Sequence, residues 1–324
     1  MPPLRSSASQ PWSLALLLSL ALASPGVAQP AGGSQVQSVR PGCAQKDKAF
    51  WRALKARKGV PETGVSVDGL GLALASCLGS PDPELRDGLA FELLTLWMRS
   101  GALSDTALRP LTATLVGQLD DGLGESGRDT VFRRTFSALV LSEAIRRDTL
   151  QPFLTPEELT QVLTAAVRYL PREKDLRGFS DTRGWMHGVA HGSDLLWRLA
   201  MSPRVQQEGL EQILQAVAAK IAPPEHAYVH NESDRLARVV VAVIRRGLVP
   251  PEVFSRWLEA VATPQGLASW EEAFRSQAGL ARLHNTKQFL RALHSALVLQ
   301  KTAAPHAEQV LPQVLSALER VSLV

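Results

Sequence analysis

The feature that most constrains this chain is its hydrophobic period. From about Lys46 to the end, apolar residues recur at helical spacing almost everywhere. Phe91, Leu94 and Met98 follow i, i+3, i+7, with Leu93 and Trp97 widening the stripe, and Leu236, Val239, Val240, Val243 and Ile244 follow i, i+3, i+4, i+7, i+8. No run alternates with a period of two, so an all-α fold is expected. Breaks come at short intervals, among them GSPDPE at 79–84, RSGALSD at 99–105, DDGLGESGRD at 120–129, FLTPEE at 153–158, APPEH at 222–226 and GLVPPE at 247–252. Several carry helix-start chemistry, such as Asp82 ahead of Pro83 and Thr155 ahead of Pro156 with Glu158 three residues on. About a dozen helices result, mostly joined by short turns. Helix pairs strung over some 280 residues suggest an α-solenoid or α-α superhelix of stacked pairs, HEAT- or armadillo-like. Each pair in such a stack contacts only its neighbours, which escapes the size limit of a single core.

The N-terminus has a different character. Arg5 precedes an uncharged run from Trp12 to Ala23, about a dozen residues against the roughly 20 needed to span a bilayer. Small residues follow at Gly26 and Ala28. We read residues 1–28 as a cleavable signal peptide, 29–42 (QPAGGSQVQSVRPG) as a flexible linker, and 43–324 as one helical domain. The expected location is periplasmic or secreted, with no membrane span in the mature chain. Lys+Arg number 35 against 31 Asp+Glu, the two signs are interspersed, and no basic cluster is interleaved with aromatics, so nucleic acid is not an expected partner. The two cysteines, Cys43 and Cys77, could close a loop of about 35 residues outside the cytoplasm, worth on the order of 4 kcal/mol, or stay as two thiols.

One stretch hints at chemistry: RGFSDTRGWMHGVAHGSDLLWRLAMSP, residues 177–203. Gly178 and Gly184 bracket a loop, and a helix is expected from Gly184 or Trp185 to just before Pro203. On it His187, His191, Asp194 and Arg198 fall within about 60° of one another, opposite Trp185, Val189, Leu196 and Leu199. Gly188 and Gly192 lie between these faces, where a neighbouring helix could approach closely.

Three readings of this face compete. His187 and His191, at i and i+4, have the spacing of two imidazole ligands, with Asp194 as a third ligand or an orienting partner for zinc or a similar divalent metal. HGVAH lacks the glutamate of H-E-x-x-H, however. A histidine could instead serve as a general base oriented by Asp194, although no nucleophile can be named. Or the face is a polar tie for the preceding loop, with Asp194 paired to Arg198 or Arg177. Two smaller clusters accompany it. HAYVHNESDRLARVV holds His226, His230, Asn231, Glu232, Asp234 and Arg235 at a helix start, where Asn231 can cap and Asp234 can reach back. RLHNTKQFLRAL places His284, Gln288 and Arg291 on one stripe and carries Asn285 and Lys287.

RGFSDTRGWMHGVAHGSDLL resembles the signature of the bacterial family DUF2785, which reads roughly R-G-(loop)-G-W-x-H-x-x-A-H-x-x-D. VFRRTFSALVLSEAI at 131–145, SDRLARVV at 233–240 and NTKQFLRAL at 285–293 resemble its flanking motifs. The resemblance covers roughly residues 80–300. It implies an all-helical fold and a polar centre on Arg177, Gly178, Gly184, Trp185, His187, His191 and Asp194, and brings no assigned reaction. SDRL departs from the pattern at Ser233, where a more acidic pair before the arginine is expected. The functional expectation is a binding or scaffold module for a protein, peptide or small ligand, with its groove around His187, His191 and Asp194 and its polar centre extended by Asp234, Arg235, Asn285 and Lys287. The alternative is a metal-assisted hydrolase on the same histidine face.

Overall fold

The computed structural model describes residues 46–299 and 307–322, which fall within one compact unit, Pro41–Val324. The expected signal peptide and linker, and with them Cys43, lie outside the described residues. Among the described residues twelve α-helices run in order: α1 (Lys48–Ala56), α2 (Val67–Ala75), α3 (Glu92–Ser100), α4 (Asp105–Gln118), α5 (Thr130–Leu150), α6 (Pro156–Arg172), α7 (Gly188–Met201), α8 (Gln207–Ile221), α9 (Glu232–Arg246), α10 (Pro251–Ala262), α11 (Gln277–Leu299) and α12 (Ala307–Ser322). Helices of all kinds account for 71% of the described residues, which hold almost no strand.

The breaks seen in the sequence end and start these helices by identifiable chemistry. Thr155 and Glu158 form a reciprocal capping box at α6, with Pro156 in the first turn. The Asp47 carboxylate accepts the Phe50 N–H at 2.7 Å at the start of α1, and the Ser104 hydroxyl accepts the Ala107 N–H at α4. Gly101 and Gly247 close α3 and α9 at φ 73° and 63°, a conformation that costs a side-chain-bearing residue about 1 kcal/mol. A π-helical segment, Glu84–Phe91, leads directly into α3.

Packing follows the order of the chain. The odd-numbered helices from α3 to α11 each pack on the next odd one, α3 on α5, α5 on α7, α7 on α9 and α9 on α11. The even-numbered helices from α2 to α12 do the same. The rows are tied by α4 on α5, α6 on α7, α8 on α9 and α11 on α12. One continuous apolar core lies between them and includes Trp51, Trp97, Phe136, Tyr169, Leu196, Val240 and Phe289. Among the described residues no helix is long and apolar enough to cross a membrane.

Two local expectations need correction. The residues before His187 are not the first turn of α7. They form a short antiparallel hairpin pairing Phe179 with Trp185 and Ser180 with Gly184, and α7 begins only at Gly188. A two-residue ladder is too short to leave an alternating pattern in sequence. At the start of α9, Asn231 occupies the cap position at φ 66° but its side chain makes no capping bond.

Candidate functional site

The site is organised by the segment that joins α6 to α7. Glu173, fully buried at the end of α6, accepts two hydrogen bonds from Arg134 of α5, at 2.6 and 2.8 Å, one from the Tyr169 hydroxyl at 3.1 Å and one from the Asp175 N–H at 2.8 Å. Burial pulls the Arg134 guanidinium down, but the Glu173 carboxylate outweighs it and leaves the arginine above its ordinary value. Asp175, also fully buried, accepts from Arg177 and from the Gly127 N–H at 2.9 Å. Arg177 is therefore paired with Asp175 rather than with Asp194. Its carbonyl accepts the His187 N–H at 3.0 Å, and the Gly178 carbonyl accepts the Met186 N–H at 2.9 Å, which closes the base of the hairpin. Buried Arg86 holds the other side, donating to the Arg183 carbonyl at 2.6 Å and the Trp185 carbonyl at 3.2 Å while lying 3.9 Å above the Phe132 ring; burial lowers its pKa to about 10.

This anchoring forces His187 to turn the chain. It sits at φ 50°, ψ 37° at the cap of α7, in the left-handed region where histidine is tolerated better than most residues. Its ring stacks on Trp185, with centroids 4.4 Å apart and planes 18° apart, and its Nε2 lies 2.8 Å from the His230 carbonyl oxygen. Glu232, buried at the start of α9, accepts the His230 N–H at 2.8 Å and places a carboxylate oxygen 3.8 Å from His187 Nε2. His230 rests on the hairpin, where a Cβ added to Gly178 would come within 2.2 Å of its ring. Burial lowers the His187 pKa, and the Glu232 charge pulls the other way.

His191 is not on a solvated face. It packs edge-on to Phe136 of α5 at 5.0 Å and to His187 at 5.6 Å; burial, with the nearby His187 and Arg235 charges, holds its pKa well below 6.5. Every residue from Gly188 to Leu196 is buried because α5, α6 and α9 cover α7 on several sides. Between Gly188 and Leu196 both faces drawn from sequence are interior, and Arg198 beyond them is half-buried. Gly188 and Gly192 do admit a neighbour: a Cβ would meet Glu173 at 2.9 Å or Tyr169 at 2.8 Å, both from the α6 side.

Asp194 pairs across to α9, with Arg235 and, at 3.9 Å, Arg238. Burial raises its pKa, and Arg235 opposes that rise. Arg198, the expected i+4 partner, instead faces Glu143 of α5 at 3.8 Å, a carboxylate already gripped by Arg99 through two bonds of 2.7 Å. The guanidiniums of Arg198 and Arg238 both lie against the indole of Trp197, 4.0 and 3.2 Å from the ring centre.

The structure thus gathers Trp185, His187, His191, Asp194 and Arg235, and adds His230 and Glu232, which no motif had singled out as a site. The signal for both was their position beside the Asn231 cap, where neither had a role of its own. It does not gather the rest. Asp234 is exposed, Lys287 is half-buried, and Asn285 is fully buried as a clamp on the 223–228 loop, accepting from the Tyr228 N–H and donating to the His226 carbonyl, both at 2.8 Å. The ligand set expected on His187, His191 and Asp194 is not assembled: Asp194 is committed to arginine, and among the described residues no group of three or more His, Cys, Asp or Glu side chains is disposed to hold a metal ion. Cys77 is fully buried and is not a free thiol.

Fold and site together define an all-helical protein whose polar centre lies where the start of α7 meets the start of α9. The description of one protein family, a protein of unknown function designated DUF2785, matches residues 119–295, more than half of the chain, and the chain belongs to that family. The matched segment contains α5 to α10 and most of α11, including every residue of the polar centre. No curated protein and no solved structure matches the chain.

Proposed function

We propose that this is an exported binding module, built from helix pairs in series, that takes an acidic, extended segment of a partner protein along one stripe of its odd-numbered helices. The observation that carries this reading is an imbalance of charge. Arg99 on α3, Arg146 on α5, Arg198 on α7 and Arg235 and Arg238 on α9 lie within electrostatic reach of one another in sequence along the row, and among the described residues their ion pairs are with two carboxylates, Glu143 and Asp194. Side chains of Arg99, Arg235 and Arg238 stay 51%, 38% and 46% exposed. Burial lowers the pKa of both Arg198 and Arg238, so each carries its charge at a desolvation cost that a second carboxylate would offset. Trp197, set among them, supplies the aromatic surface that binding hot spots favour. Row-by-row packing of the helices supports the repeat architecture, which naturally presents extended surfaces.

The test uses the full mature chain at low salt with an octaglutamate peptide, an octalysine peptide and a single-stranded oligonucleotide, read by tryptophan fluorescence and calorimetry. Octaglutamate should bind, weaken with added salt, and lose at least about tenfold in affinity with Arg198→Ala plus Arg238→Ala. Equal binding of both peptides, or preference for the oligonucleotide, would overturn the assignment. If the untagged protein carries stoichiometric zinc that His191→Ala abolishes, the metal-assisted reading takes its place. Export and a Cys43–Cys77 bridge belong to the same proposal: the native protein should begin near Gln29 and show no free thiol by mass spectrometry.

A further inference from the structure

A cavity of about 460 Å³ lies between the end of α6, the end of α8, the 222–225 loop and the first half of α11. Its walls carry three cations, Lys174, Lys220 and Arg282. Lys220 is the unusual one. It is only 4% exposed, its ammonium donates to the Glu173 carbonyl at 2.6 Å, and among the described residues no carboxylate lies within ion-pair distance of it. Glu173, the nearest acid, has its carboxylate filled by Arg134, Tyr169 and the Asp175 N–H. The other acid in range, Glu225, is exposed. Arg282 donates to the Ala222 carbonyl at 3.3 Å and likewise meets no carboxylate among the described residues. Thr286, fully buried and also on the wall, has a hydroxyl with no hydrogen-bond partner. Ile221, Val261 and Trp270 give the lining an apolar side, next to the polar Ser126, Thr263 and Gln265 and the acids Glu173 and Glu225. A buried ammonium on the wall of a cavity, held by one carbonyl and no carboxylate, is unusual, because a buried charge is ordinarily paired.

We propose that this cavity is a binding site for a small organic anion, whose carboxylate or phosphate pairs with Lys220 and Arg282 and accepts from Thr286 while its apolar body lies against Trp270. It is a second site, independent of the arginine stripe. Burial, with the Lys174 charge, brings the Lys220 pKa down to about 8, opposed by Glu173 and Glu225. Tyr228, whose hydroxyl donates to the Lys220 carbonyl, is buried with its pKa pushed well up and stays neutral over the same range. The site should therefore be charged at pH 7 and lose its anion as pH rises, by about tenfold for each unit above 8 until the bound lysine itself titrates.

The test titrates the full-length protein with phenylacetate, phenyl phosphate and the neutral isostere phenylacetamide, followed by calorimetry and Trp270 fluorescence, at pH 7.0 and 9.5. Binding of one anion but not of the amide, with at least tenfold weaker affinity at pH 9.5 and a comparable loss in Arg282→Gln and Lys220→Met, supports the proposal. Comparing the carboxylate with the phosphate ester identifies the headgroup. Equal binding of the amide, no binding by any probe, or an anion affinity indifferent to pH and to Arg282→Gln would overturn it. The wild-type pH series needs no variant, so a Lys220→Met protein that fails to fold leaves the test intact. Arg198→Ala plus Arg238→Ala should leave phenylacetate binding unchanged.

Discussion

Replacing Glu173 by glutamine keeps the shape of the side chain and removes its charge. The carboxylate now accepts four hydrogen bonds, two of them from a guanidinium whose side chain is 1% exposed. An amide offers one acceptor oxygen, and its NH2 group would point at an N–H donor of Arg134 or at another donor of the set. Arg134 would retain its carbonyl partners, Glu125 at 3.1 Å and Asp121 at 3.5 Å, but no counter-charge. Hydrogen bonds to charged groups are worth about 1.5–3 kcal/mol each, and breaking a buried pair from one side costs about 3–5 kcal/mol in all. Against a typical domain stability of about 5–15 kcal/mol this is a large fraction. Urea unfolding followed by far-ultraviolet circular dichroism at pH 7 should show Glu173→Gln losing about 3–5 kcal/mol. Arg134→Met combined with Glu173→Gln should lose at least about 2 kcal/mol less than the sum of the single losses, since the uncompensated charge is gone. A single-variant loss below about 1 kcal/mol, or strict additivity, would refute the claim that this pair anchors the α6–α7 segment.

Four further outcomes follow from named contacts. His191 is held neutral in the fold with its pKa well below 6.5, so the unfolded chain takes up a proton first as pH falls; stability should drop by up to about 1.4 kcal/mol per unit below pH 6.5, and His191→Gln should flatten that slope in pH-dependent urea curves. Lys220 has the opposite working range: its pKa of about 8 lies below the ordinary 10.5, so the unfolded chain holds more protons between those values, and unliganded wild type should gain up to about 3 kcal/mol relative to Lys220→Met from pH 8 to 10.5. Gly178→Ala drives a Cβ to within 2.2 Å of the His230 ring and should cost about 1–3 kcal/mol in chemical denaturation while shifting the Trp185 fluorescence. Asp194→Asn should lower stability by about 1–3 kcal/mol yet tighten octaglutamate binding, because Arg235 and Arg238 lose their internal partner; weaker binding would count against the stripe.

Helical character and most of the punctuation of this protein are legible in its residues alone. Helical period, Thr155–Pro156–Glu158, Gly101, Gly247 and the proline pairs act within a few residues of themselves, so their effect is legible without knowing what packs where. The sequence also drew attention to the segment in which the rings of Trp185, His187 and His191 pack in succession. Which way they face was decided only by tertiary structure. A helical wheel assumes one covered side, and α7 is covered by α5, α6 and α9, so an apparent polar face became an interior one. The partners of that interior come from far along the chain. Arg235 is 41 residues from Asp194, the His230 carbonyl is 43 from His187, and Arg86 is 97 from the Arg183 carbonyl it holds. Local rules favoured the nearer Arg198 for Asp194, and packing of α9 on α7 brought a better-placed guanidinium. The hairpin and the left-handed His187 followed the same logic: Arg86 and the Arg177 carbonyl bind backbone groups that composition does not reveal, and their pull fixes the chain just before α7 begins.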